Sequence, residues 1–256
     1  MEKNTFTERV EGHPENDDRE VKKNMPHFIF IEGNLGAGKT LTASIMAHYY
    51  RNRVISAGGN IELFSNYGLK DSYDMQHYTD WFKVADAQGS ICVWDESQMV
   101  FDSRTALKST QVFATHLLMY VRKMAAVQIF ISPSINNIDS RIRQLTEVLI
   151  SVRKIGNKGI SLDYFDFQAQ QFGNRGKFLH SRFIPQGKLN KIYKLKLYDT
   201  FTMIKGFPLP TTERQAGDFF QELENRHDLA RAKKSITIHP TEIEVIEANQ
   251  AIQEVL

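Results

Sequence analysis

Short runs of apolar residues recur along the chain, and each ends at a turn former or a charged pair: residues 28–31, 91–94, 126–131 and 148–152. Their length and their β-branched and aromatic content mark strands buried on both faces, as central parallel strands are. Helical periods fall between them. Leu41, Ile45, Met46 and Tyr49 follow the first run, while Tyr78, Phe82 and Ala85 share a face in an aromatic-rich stretch closed by Gly89. Phe113, Leu117, Tyr120 and Met124 form a helical stripe ahead of the third run, and residues 139–145, which contain Arg141 and Arg143, lie between it and the fourth. Strands alternating with helices predict an α/β domain with a mainly parallel central sheet covered by helices on both faces.

Two local expectations follow. The first helix should span about a dozen residues, ending near Arg51-Asn52-Arg53. Residues 54–57 and 61–64 should then make a second strand region, broken at Gly58-Gly59-Asn60. After Gly156-Asn157-Lys158-Gly159 the period changes. Residues 160–167 and 191–198 alternate apolar with polar, and turns are expected at residues 173–177 and 185–188. This predicts an antiparallel β-meander added to the sheet edge after residue 156. Pro208 and Pro210 end the domain; a helix follows from Thr211 to about Lys234, and a last acidic helix from Thr241, with Ile243, Ile246 and Ile252 on its apolar side. The chain thus divides into a polar N-terminal tail (1–24), a main domain (25–210) and a C-terminal helical extension (211–256).

Composition narrows the class only a little. A chain of 256 residues with 41% hydrophobic and 24% charged residues is ordinary for a globular protein. No apolar run reaches the roughly 18 to 20 residues of a membrane span, and the first residues, Met1-Glu2-Lys3-Asn4, lack the basic and apolar regions of a signal peptide. The single cysteine, Cys92, excludes an internal disulfide framework and fits a reducing, cytoplasmic compartment; inside an apolar strand it reads as a small core residue. The net charge of +2 hides an asymmetry, since residues 151–205 hold eleven Lys and Arg against three Asp, whereas residues 241–256 hold four Glu and no base. The basic half suits either a polyanion partner or the solvated face of a β-ribbon.

The chemistry is concentrated at two strand ends. The first strand stops at Gly33-Asn34-Leu35-Gly36-Ala37-Gly38-Lys39-Thr40, the pattern G-x-x-x-x-G-K-[ST] with a strand before it and a helix after it. Glycines at 33, 36 and 38 let successive N–H groups turn inward around a phosphate at a helix start. Lys39 would reach the β- and γ-phosphates, and the Thr40 hydroxyl would hold Mg²⁺. At the second end, Ile91-Cys92-Val93-Trp94 runs into Asp95-Glu96. In a nucleotide hydrolase Asp95 would organise Mg²⁺ and Glu96 would position or deprotonate the attacking water.

With both motifs in place, residues 28–201 resemble the zonula occludens toxin-like branch of the FtsK–HerA ATPases. The parts beyond the generic motifs are Arg122-Lys123 before a strand, Asn137-Ile138-Asp139 after it, Arg143 following, and Leu197-Tyr198-Asp199-Thr200. The resemblance implies a RecA-like P-loop NTPase fold, ATP and Mg²⁺ as ligands, and a homo-oligomeric ring that moves double-stranded DNA through its phosphate backbone. It implies docking to a capsid vertex or a membrane protein, and a trans-acting arginine that falls at Arg122. Arg141 and Arg143 are further candidates for the site or for DNA contact. Where the family carries a sensor glutamine this chain has Ser132, followed by Pro133. The expected function is a viral genome-packaging ATPase; the alternatives are a conjugative DNA pump and a morphogenesis or secretion adaptor that uses ATP as a switch.

Overall fold

The computed structural model describes residues 26–87, 89–100, 116–117, 120–121, 123–199, 202, 204, 210 and 212–233. Eight strands form one sheet: β1 (Phe28–Glu32), β2 (Glu62–Ser65), β3 (Ser72–Asp74), β4 (Ser90–Trp94), β5 (Ala126–Ser132), β6 (Val148–Ile155), β7 (Gly159–Asp166) and β8 (Lys177–Pro185). Their order is β3-β2-β4-β5-β1-β6-β7-β8. The first six positions are parallel, and β7 and β8 are added antiparallel to β6. The sheet is therefore mainly parallel with an antiparallel meander at one edge, which is the α/β P-loop architecture expected from the sequence.

Strand alternation sorts the two faces by side-chain type. Ile29, Ile31, Ile91, Val93, Ile129, Ile131 and Ile150 point to one face, where α1 (Lys39–Ser56) buries Leu41, Ile45 and Met46 against them. Phe28, Phe30, Phe64, Cys92, Trp94 and Phe130 point to the other. There they meet α2 (Trp81–Ala87) and the long helix Glu213–Lys233 through aromatic contacts, Trp81 stacking on Trp94 at 5.7 Å and Phe82 on Phe219 at 5.0 Å. Branched aliphatic residues thus fill the face beneath the phosphate-loop helix, and flat rings fill the one behind it. Cys92 is fully buried, as a core residue.

Two expectations are corrected. The first helix does not stop near Arg53 but runs through Ser56, so residues 54–56 are helical and not a strand. The stop signal is Gly58 at φ 77: the N–H groups of Gly58 and Gly59 close back on the carbonyls of Ile55 and Val54 at 2.9 Å, and this left-handed exit needs a glycine. Similarly, residues 191–198 do not form a strand and residues 185–188 are not a free turn. Gln186–Lys194 is a helix, α4, whose Leu189 and Ile192 lie on one buried face. Beyond it, Tyr198 bridges to Leu69, and the Leu197 carbonyl accepts from Lys70 N–H at 2.7 Å. Helical spacing of Leu189 and Ile192, with Lys191 and Lys194 at the negative helix end, outweighed the alternation.

Of the expected C-terminal elements, the helix Glu213–Lys233, α5, is present; the acidic helix from Thr241 and the N-terminal tail lie outside the described residues. No helix among the described residues is long and apolar enough to cross a membrane. A further short helix, α3 (Ser140–Leu145), follows β5.

His48 is buried in α1, and burial is the main cause of a pKa pushed down to about 4, with Arg51 and Lys70 acting in the same direction and Asp71 opposing. The folded protein keeps the imidazole neutral while the unfolded chain takes up a proton near its ordinary value of 6.5. Stability from this group is complete above that value and is lost as the pH falls toward 4. The expected outcome is a fall of up to about 3 kcal/mol between pH 6.5 and 4 that His48→Gln removes, measured as the difference between urea unfolding curves of the two proteins.

Candidate functional site

The loop between β1 and α1 turns at three glycines in the left-handed or extended positive region: Gly33 at φ 153, Gly36 at φ 71 and Gly38 at φ 97. Gly33 is constrained most. A Cβ there would meet the carbonyl oxygen of Val152 on β6 at 2.3 Å, so the loop leaves the sheet closer to its neighbour than any side chain permits. Gly33 N–H donates to the Pro133 carbonyl at 3.3 Å, and Ala37 N–H donates to the Asn34 carbonyl at 3.1 Å. Leu35 is the exposed apex and Ala37 is buried. The Lys39 ammonium folds back over the loop and donates to the Asn34 carbonyl at 3.1 Å.

The second motif closes on the first. Thr40 Oγ1 donates to Asp95 Oδ2 at 2.8 Å, and Glu96 N–H donates to the other oxygen, Oδ1, at 2.9 Å. Burial raises the Asp95 pKa; the hydrogen bonds from Thr40 and Glu96 and the charge of Lys39 oppose that rise. Glu96 adopts a left-handed backbone at φ 47, uncommon outside glycine, and its carboxylate Oε2 accepts from Gln98 Nε2. Ser97 Oγ anchors the turn by donating to the Ile131 carbonyl at 2.9 Å.

One residue of this arrangement was not found by sequence reasoning. Asn66, just after β2, accepts from Asp95 N–H with its Oδ1 at 2.8 Å and donates from Nδ2 to the Asp95 carbonyl at 3.0 Å. Its side-chain amide satisfies both backbone groups of Asp95 and so fixes the turn that presents the two carboxylates. A lone asparagine in Ser65-Asn66-Tyr67 carries no motif. The only available signal was its place at the end of a strand parallel to the acidic one.

The set of donors and acceptors fits a nucleotide triphosphate and Mg²⁺. A glycine loop at a helix start, an ammonium over it, and a hydroxyl and carboxylate in contact supply hard oxygen ligands of the kind Mg²⁺ takes alongside phosphates and water. No group of three or more His, Cys, Asp or Glu that could form an all-protein metal cage occurs among the described residues. Arg122 lies outside the described residues. Arg141 and Arg143 belong to Ser140–Leu145, where Arg143 Nη1 donates to Asn136 Oδ1 at 3.1 Å. Ser132 ends β5 beside Glu32 of β1; its buried hydroxyl has no hydrogen-bond partner among the described residues, and it shares the strand parity of Phe130, the face away from α1.

Fold and site together define a P-loop NTPase-type α/β protein. The family model described as zonular occludens toxin (Zot) matches residues 52–200, and the chain belongs to that family. Among solved structures the chain is similar to the N-terminal domain of zonular occludens toxin from Neisseria meningitidis, with 18% identity over 68% of this chain and 100% of that one, at a TM-score of 0.47. It is also similar to the genome packaging NTPase B204 from Sulfolobus turreted icosahedral virus 2 in complex with ATP-gammaS, with 10% identity, 56% and 93% coverage and a TM-score of 0.39. A third is the flagellar accessory protein FlaH from Methanocaldococcus jannaschii, with 12% identity, 63% and 86% coverage and a TM-score of 0.39. A search of curated proteins found none that matches.

The site makes opposite predictions for two substitutions in the ligand-free protein at pH 7. Asn66→Ala strands two backbone groups of a buried residue and should cost about 2 kcal/mol. Asp95→Asn should stabilise: the folded state penalises the ionised carboxyl, and this cost grows as the pH rises from the unfolded pKa to the raised folded one. Urea unfolding of the three proteins checks both signs.

Proposed function

We propose that this protein is an ATP-driven DNA translocation motor, of the viral genome-packaging kind, working as a homo-oligomeric ring in the host cytoplasm. The observation that carries the reading is the Thr40–Asp95 hydrogen bond, which closes the phosphate loop onto the acidic end of β4 with Glu96 next in line. Zot family membership supports it, as does the excess of basic residues from 151 to 205.

In this reading Lys39 leaves the Asn34 carbonyl for the β- and γ-phosphates, and loop N–H groups take the remaining phosphate oxygens. Thr40 and Asp95 hold Mg²⁺, which when bound neutralises charge on the phosphates. Glu96, released from Gln98, orients and deprotonates the attacking water. The remaining positive charge at the γ-phosphate comes from a neighbouring subunit, with Arg122 the candidate. DNA is held through its phosphates, largely independently of sequence. Docking is to a capsid vertex or a membrane protein.

The test is turnover with and without DNA. ATPase activity should rise with DNA, and Glu96→Gln should lower it about a hundredfold or more while nucleotide binding persists. Activity per chain should fall on dilution to the monomer, because the arginine is supplied in trans; constant specific activity refutes the ring. Nucleotide binding without turnover under all conditions favours the switch-like adaptor.

A further inference from the structure

Behind the phosphate loop, on the face of the sheet away from α1, lies a cavity of about 720 Å³. One wall is the turn at Ile135–Asn137 with the helix Ser140–Leu145, and the other is the connection from β7 to β8, residues 167–176. Its floor is Glu32, the residue that leads into Gly33, and Arg143 and Arg175 enter from opposite walls. Glu32 is 5% exposed; its Oε2 accepts from Ile135 N–H at 3.2 Å and its Oε1 lies 3.1 Å from Arg175 Nη2. Arg143 is held by the neutral Asn136, and no carboxylate among the described residues lies within ion-pair distance of it. Two guanidinium groups against one carboxylate leave the cavity with an unbalanced positive charge, in the planar form that suits a phosphate.

The surface beside the cavity has a second character. Phe172 and Phe178 flank Arg175 in sequence and are 61% and 53% exposed, and the Lys177 ammonium lies 5.7 Å from the centre of the Phe172 ring. Exposed rings interleaved with bases are costly in water unless something covers them, and unpaired nucleobases stack on such rings whatever their sequence. Duplex DNA keeps its bases stacked inside and has no use for these rings. Beside apolar Ile135 and Phe167, the walls carry amides, among them Gln170 and Asn174, which can donate to a sugar or phosphate oxygen.

We propose that this cavity and the adjoining Phe172–Phe178 surface bind a single-stranded polynucleotide, with a backbone phosphate between Arg143 and Arg175 and neighbouring bases on the two phenylalanines. The proposal rests on the reading of the protein as a DNA motor and supplies what that reading lacks, a strand-selective contact placed one residue from the phosphate loop. Arg175 is shared between the two: its guanidinium caps Glu32 and keeps further N–H donors for the phosphate.

The experiment is fluorescence anisotropy of a labelled dT oligomer of about 15 nucleotides, without ATP or Mg²⁺, on the full chain. Arg143→Ala with Arg175→Ala, and separately Phe172→Ala with Phe178→Ala, should each weaken binding about tenfold or more. A duplex of equal length should bind more weakly than the single strand, and dTMP should fail to displace the oligomer at matched nucleotide concentration. On the phenylalanine variant, which leaves Arg143, Arg175 and Glu32 in place, affinity for an ATP analogue with Mg²⁺ should be unchanged and reports intact folding. Either double variant binding as tightly as the unsubstituted chain overturns the proposal. So does equal affinity for duplex, or displacement by dTMP, which makes the cavity a mononucleotide pocket. An unsubstituted chain that hydrolyses ATP but has no affinity for the oligomer overturns this site alone; one that binds the oligomer but no nucleotide overturns the motor and leaves the site standing.

Discussion

The hydrogen bond between Thr40 and Asp95 is the contact on which the arrangement depends, because its two partners lie beyond the ends of strands that do not touch. β5 lies between β1 and β4, so the phosphate loop after β1 and the acidic pair after β4 are brought together across an intervening strand. That geometry is possible only if the chain turns at once on leaving β1. Gly33 provides the turn, at a distance from Val152 that no Cβ tolerates. The apposition in turn costs the folded protein something. A carboxylate is held where burial disfavours its charge, with a hydroxyl and a backbone N–H as compensation.

The two faces of the sheet divide the work in physical terms. Beneath α1 the contacts are between branched aliphatic side chains with few rotamers, which suits a helix whose first turn must hold a loop steady. Behind, the stacked rings of Trp81, Trp94, Phe82 and Phe219 tie α2 and Glu213–Lys233 to the same sheet, and Arg226 adds an ion pair to Asp86 at 2.9 Å. That pair is exposed and contributes little; the rings do most of the holding. The meander differs from both. β8 is an edge strand whose residues are exposed except Ile184, which alone of its apolar side chains joins a core, the one beneath α1.

How much of this was legible follows from where the information lies. Strands such as Ile91–Trp94 are buried on both faces, and a continuous apolar run records that directly. The glycine spacing and the paired carboxylates are likewise local, and both were readable. Asn66 was not, because its role is to satisfy backbone groups 29 residues away. The misread segments share a different cause: Val54-Ile55 and residues 191–198 have strand-like composition, yet their state is set by a glycine exit in one case and by burial of Leu189 and Ile192 in the other. Local composition decides only where tertiary packing is indifferent.

In the ligand-free protein both groups assigned to the chemistry are engaged elsewhere on the chain. Lys39 is bonded to the carbonyl of Asn34, within the loop it would serve, and Glu96 accepts a hydrogen bond from Gln98. Each partner is a neutral group, so each contact is weaker than the charge-assisted one a phosphate or a polarised water offers, and each can be exchanged without unfolding anything. Glu96 is also held in a left-handed conformation by a turn whose preceding residue is clamped on both sides by Asn66, which means that the carboxylate can swing while its backbone stays fixed. Reorganisation on binding is therefore confined to two side chains. Outside this turn, the connection from β7 to β8 reaches Glu32, the residue that precedes the loop, through Arg175, whose side chain is also open to solvent.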